Sequence, residues 1–138
     1  MTTTNYDKEK ALEKIESFVS QRSEERVELE NKIISLIPRM NDLHDIVKKC
    51  LDNDIYTNLF FAEKEPQKVG FFKTNEGLEK YFGVLGGGSL GSNLYVNLNL
   101  QKIIYLGSSV SKRIKQMRKV VNDFDEYEKQ VYKFIDNL

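Results

Sequence analysis

Cysteine occurs once in this chain, histidine once and tryptophan not at all. A single thiol, Cys50, excludes an internal disulfide, and a single imidazole, His44, excludes an ordinary histidine-rich metal site. Proline stands only at positions 38 and 66, which leaves long stretches free to run as uninterrupted helix. No apolar run approaches the ~18 residues of a membrane-crossing helix. The start, MTTTNYDKEK, lacks the apolar centre of a secretory signal, so no membrane role is expected. Neither charge is in excess: 21 basic residues balance 21 acidic ones, and nothing draws the whole molecule toward nucleic acid or an anionic bilayer. There is no Asn-x-Ser/Thr acceptor site. These absences fit a cytoplasmic protein. A chain of 138 residues is long enough to bury a core of its own as one domain.

What is present is a long helical pattern. Leu12, Ile15, Val19, Arg22, Arg26, Leu29, Ile33, Leu36, Met40, Leu43, Val47 and Cys50 follow one another at alternating steps of three and four. That is a heptad seam with two arginines in its middle. The pattern predicts a helix over residues 6–52, ~70 Å long at ~1.5 Å per residue. Thr4 or Asn5 can cap its start. Pro38 removes one backbone donor, and because the stripe keeps its phase across it, a kink is expected there.

The period then changes. Ile55 to Ala62, Lys68 to Lys73, Leu78 to Leu85, Leu94 to Leu100 and Ile103 to Leu106 are rich in aromatic and β-branched residues. In the fourth, Leu94, Val96, Leu98 and Leu100 alternate with Tyr95, Asn97 and Asn99, as in a half-buried strand. The turns fall at Lys64-Glu65-Pro66-Gln67 and Asn75-Glu76-Gly77. Residues 55–107 therefore read as a meander of four or five antiparallel strands. A seam returns over residues 109–138: Val110, Ile114, Met117, Val121, Phe124, Glu128, Val131, Ile135 and Leu138, with Ser109 or Ser111 as its cap. The expected fold is α+β, two long helices paired antiparallel in coiled-coil fashion with the meander between them. The shorter helix then leaves Leu12, Ile15, Phe18 and Val19 uncovered. With Arg22 and Arg26 they form an expected contact for a homo-oligomer, a dimer or higher. Each arginine is either paired, with Glu128 or Asp136 as acids, or turned to solvent.

Candidate sites are few. Gly86-Gly87-Gly88-Ser89-Leu90-Gly91 matches G-x-G-x-x-G, but a strand follows it where the dinucleotide motif needs a helix. The glycine run reads as a loop, and with Tyr81, Phe82 and Tyr95 beside it, as a contact for another macromolecule. The pairs Phe60-Phe61 and Phe71-Phe72 each put one ring inward and one outward on a strand. Phe61, Phe72, Tyr81, Gly87, Gly88 and Leu90 are the expected partner-binding residues. Lys112, Arg113, Lys115, Arg118 and Lys119 crowd five cations at the positive end of the last helix. They either form a solvated face or suit an acidic partner, whether phosphate, another protein, or the run Glu24, Glu25, Glu28, Glu30 of a second copy. His44 reads as a structural or surface histidine and Cys50 as a small buried hydrophobe.

The segment from Met40 to Gly91, with DLHDIVKKCLDNDI, FFAE, KVGFF and YFGVLGGGSLG, resembles uncharacterised small proteins encoded by phages and mobile elements of Gram-positive bacteria. The resemblance carries no activity, cofactor or site residue. It implies a setting in which small proteins bind and modulate host or phage machinery. No acid, base and nucleophile converge on one another, so no enzyme and no cofactor are expected. The expected function is a protein–protein interaction module or inhibitor. The alternative is a nucleic-acid-associated protein using the basic start of the last helix.

Overall fold

Asp7 opens the first helix. Its backbone is extended, and its carboxylate accepts from the N–H groups of Glu9 (2.9 Å) and Lys10 (3.4 Å), which have no partner inside the helix. The computed structural model describes residues 6–86, 92–107 and 109–138, so Thr4 and Asn5 lie outside the described residues. Helix α1 (Lys8–Asp52) is 45 residues long and runs through Pro38 without a break. Pro38 and Ile34 are both exposed, so the carbonyl that loses its donor is open to water. The helix ends where Asn53 donates its side-chain amide to the Lys49 carbonyl (2.8 Å) and Asp54 turns left-handed at φ 59°.

After α1 come β1 (Val69–Thr74), β2 (Gly77–Leu85), β3 (Asn93–Asn97), β4 (Lys102–Leu106) and helix α2 (Val110–Asp136). The protein is α+β, with two helices flanking a four-stranded antiparallel sheet in the order β1-β2-β3-β4. Ser109 caps α2 by accepting from the Lys112 N–H. No fifth strand forms over residues 55–62. Thr57 accepts from the Leu59 N–H and starts a 3-10 turn at Asn58–Phe60, and only isolated bridges tie Phe61 to Phe71 and Glu63 to Lys68. The turn has no period of two, so Phe60 and Phe61 are both buried and neither faces outward. β3 stops earlier than expected, because the Asn97 side chain accepts from the N–H groups of Asn99 and Leu100 and bends the chain toward β4.

Register decides which side chains enter the core. Phe71 pairs with Phe82, Phe82 with Val96 and Val96 with Ile103; one step along, Val69, Val84, Leu94 and Tyr105 form a second row. These rows face the helices. On α1 the buried positions include Leu29, Ile33, Ile37, Met40, Leu43 and Val47; on α2 they include Ile114, Met117, Val120, Phe124, Tyr127 and Val131. Ile37 takes the place expected for Leu36, and Val120 and Tyr127 those expected for Val121 and Glu128. Each helix packs on its partner and on the sheet, so its buried arc is wider than a two-helix seam and drifts with the 3.6-residue period.

The helices run parallel, not antiparallel. Glu25 meets Arg118, Arg39 meets Asp125 and Glu128, and Ile46 and Cys50 share a groove with Ile135 and Leu138, so numbers rise together along both helices. The sheet is the cause. Phe71 of β1 packs on His44 and Tyr127, whereas Tyr105 of β4 reaches Glu30 and Met117. Strand by strand, at ~4.8 Å a step, the sheet carries the chain back toward the middle of α1. The last helix therefore starts beside Phe18–Glu25 of α1 and climbs the way α1 climbed.

Arg39 fastens the pair from outside. It donates to both carboxylate oxygens of Glu128 (3.0 and 2.6 Å) and to Asp125 (2.8 Å), and its guanidinium lies 4.9 Å from the centre of the Phe124 ring. The side chain is 44% exposed, so water screens much of the attraction. Arg39→Ala is expected to cost on the order of 1 kcal/mol in urea titration, and less in 1 M salt.

Candidate interaction surfaces

Alternation along the strands sends the other set of side chains to the sheet face away from the helices. Phe72, Tyr81 and Tyr95 meet there: ring centres are 5.3 Å apart for Phe72 and Tyr95, and 4.6 Å for Tyr81 and Tyr95. All three are half-buried, mainly against one another. Phe72 and Tyr81 were expected on this face. Tyr95 is its centre, and the strict alternation of β3 already places it opposite Leu94 and Val96. Phe82, one residue from Tyr81, points inward and is fully buried.

Phe61 belongs to the margin of this surface, not to its exposed part. It is 7% exposed, lies 5.7 Å from the Tyr56 ring, and has the Lys73 ammonium 5.1 Å from its centre; the same ammonium is 5.0 Å from Tyr56. Tyr56, Phe61, Phe72 and Leu85 line a groove of about 280 Å³ beside the aromatic stack. Nothing in the period of residues 55–62 singles out Tyr56, because that segment is not a strand.

Gly87, Gly88 and Leu90 lie outside the described residues. The neck of their loop is described, and it is tightly held. Gly86 donates its N–H to the Asn93 side chain (3.2 Å), Ser92 donates its hydroxyl to the Gly107 carbonyl (3.0 Å), and buried Gln116 donates its amide to the Ser92 carbonyl (2.7 Å). A Cβ on Gly86 would stand 1.8 Å from the Ser92 carbonyl oxygen, so the two arms of the neck approach as only glycine permits. Among the described residues the chain enters β3 directly after Ser92, with no helix end there to hold a pyrophosphate.

α1 projects beyond the start of α2, where Ser111 and Ile114 line a groove with Phe18, Gln21 and Arg22. Leu12, Ile15, Phe18 and Val19 are 49%, 57%, 57% and 43% exposed. Arg22 lies over the Phe18 ring at 5.3 Å, and Arg26 is exposed and pairs along its own helix with Glu30 at 3.7 Å. Neither arginine is held by Glu128, which Arg39 occupies, because parallel helices put Glu128 far up the pair.

The five cations at the start of α2 are largely engaged within the chain. Arg118 binds Glu25, Lys119 binds Asp123 (2.8 Å), and the Arg113 guanidinium stacks 4.9 Å from the centre of Tyr105. The acidic run on α1 thus supplies a partner in the same molecule. Lys112 and Lys115 are exposed and make no ion pair among the described residues. No family model matches the chain, and no match to it was found among curated proteins or solved structures.

Tyr127 donates its hydroxyl to the Phe60 carbonyl (2.8 Å), pinning the 3-10 turn to α2, and burial drives its phenol well above the ordinary range. Burial, with Glu30 adding to it, pushes the Tyr105 phenol up to about 12. The Cys50 thiol is also raised by burial, which keeps it a protonated hydrophobe. Among the described residues no three His, Cys, Asp or Glu side chains cluster as a metal site, and no helix is long and apolar enough to cross a membrane.

Proposed function

We propose that this protein is a non-enzymatic protein–protein interaction module. It engages its partner through the outer face of the sheet, as a modulator or inhibitor that acts by occupying a surface. The observation that carries this reading is the stack of Phe72, Tyr95 and Tyr81 on the face turned away from the helices. Rigid aromatics on a strand-built platform provide contact area at small entropic cost, and their hydroxyls suit a half-wet interface. Self-association through Leu12, Ile15, Phe18 and Val19 is a companion proposal, supported by their exposure. A nucleic-acid role has less support, because Arg118 and Lys119 are paired and Arg113 is stacked within the chain.

The test replaces Tyr81, Tyr95 or, as a control on the exposed side of α2, Tyr132 with a photo-crosslinking phenylalanine in the source cells. The expected result is one discrete protein adduct from positions 81 and 95 and none from 132. The same adducts from all three positions, or none from any, would overturn the reading. Adducts that vanish on nuclease treatment would transfer it to nucleic acid.

A further inference from the structure

His44 is 3% exposed, and neither ring nitrogen has a hydrogen-bond partner. A buried polar group of this kind is costly and stands out against a core whose other polar side chains, Gln116 and Ser92, bond to backbone. The ring sits edge-on to Phe71 of β1, with centres 5.5 Å apart. It forms one wall of a groove of about 560 Å³ whose far wall is the β1–β2 hairpin at Glu76, Gly77, Leu78 and Lys80. His44 thus stands between α1 and the hairpin tip.

We infer that His44 is a proton-controlled fastening between α1 and the β1–β2 hairpin, closed while the ring is neutral and released when it gains a proton. A neutral imidazole packs here as an aromatic. A protonated one carries two obligate donors and a charge into a site whose nearby acceptor, the Glu79 backbone, makes no well-formed hydrogen bond with either nitrogen. The charged groups around it do not receive it. On α1, Lys48 is paired with Asp52 at 3.0 Å and Asp45 is exposed; on the hairpin, Glu79 accepts from the Thr74 hydroxyl at 3.0 Å, Glu76 is exposed at the turn and Lys80 repels a second cation. Burial, and after it Lys80, hold the imidazole below the ordinary 6.5, against a smaller upward pull from Asp45 and the Glu79 backbone. The sign follows. The released ring takes its proton near 6.5 and the packed ring only at lower pH, so closure is complete above about 6.5. Below that, opening rises by up to about tenfold per pH unit. The released strands carry Phe72 and Tyr81, so the device acts on the aromatic face.

A single histidine makes the test unambiguous, because its ring carbon-bound protons give one titrating signal by NMR. Amide hydrogen exchange from pH 7.5 to 5.0, corrected for intrinsic rates, should show protection over Phe71–Lys80 falling by tenfold or more while Val120–Val131 keep theirs. In His44→Leu the hairpin should stay protected at pH 5.0. If that variant does not fold, Lys80→Gln should move the ring's titration upward and shrink the loss of protection. A folded-state titration at or above 6.5, equal loss in hairpin and α2, or unchanged acid sensitivity in His44→Leu would overturn the inference.

Discussion

Phe82→Ala should lower the unfolding free energy by about 3–5 kcal/mol, a large part of the ~5–15 kcal/mol that holds an ordinary domain together. Phe82 is where the sheet meets α2. Its ring is fully buried, and its centre lies 5.2 Å from Phe71, 5.5 Å from Phe124 and 5.1 Å from Tyr127, each in an edge-to-face arrangement. Truncation removes the transfer energy of a phenyl ring and opens a cavity that strands on one side and helices on the other cannot close. Urea titration should show a large fall in midpoint at constant slope. Tyr132→Ala on the exposed side of α2 should fall by less than ~1 kcal/mol. Similar losses from both would mean that Phe82 is not the junction.

Gly83→Ala should be comparably damaging for the opposite reason. Position 83 faces the same side of the sheet as Tyr95 and pairs with Gly70 in β1. A Cβ there would lie 2.0 Å from the Leu94 carbonyl oxygen and 2.6 Å from the Tyr95 Cα. Both atoms are backbone of the neighbouring strand, so no side-chain rotation relieves the clash, and β2 and β3 must separate or slip. Overpacking usually costs ~1–3 kcal/mol, and the rigidity of these atoms places Gly83→Ala at or above the upper end. Gly77→Ala is the informative comparison. Its Cβ would meet nothing within 4 Å, and the penalty is confined to a left-handed backbone at φ 131°. Thermal denaturation of the two variants should place Gly83→Ala well below Gly77→Ala. The reverse order would show that β2 and β3 can part cheaply. Because Tyr95 is the centre of the aromatic stack, a folded remnant of Gly83→Ala should also lose the adducts expected from positions 81 and 95.

Both expectations concern one strand, and β2 shows how closely core and candidate surface are coupled here. Phe82 and Tyr81 are consecutive, one at the centre of the core and the other in the stack outside it. A one-residue slip would exchange them. The aromatic face is therefore as well defined as the core, although it is built from only three rings.

Much of this was legible in the residues themselves. The period of Leu29, Ile33, Met40, Leu43 and Val47 specifies a helix with an apolar face, and the alternation of Leu94, Val96 and Tyr95 specifies a strand with two faces. Ser109 marks the last helix's start. These are local properties, set by which backbone geometry lets each side chain bury or hydrate, and they hold wherever the segment is placed. The exposure of Leu12 to Val19 follows as well, since α2 is too short to cover them. What the residues could not specify is direction and neighbourhood. An amphipathic helix packs equally well parallel or antiparallel to its partner, and only the backward march of four strands made these two parallel. That choice gave Glu25 to Arg118 and Glu128 to Arg39, and so took cations expected to face a partner into the fold's own ion pairs. The 3-10 turn carried Phe61 inside, and packing of α1 against the hairpin left His44 without a hydrogen bond. Each of these depends on residues tens of positions apart being brought within a few ångströms, which periodicity does not encode and tertiary packing alone supplies.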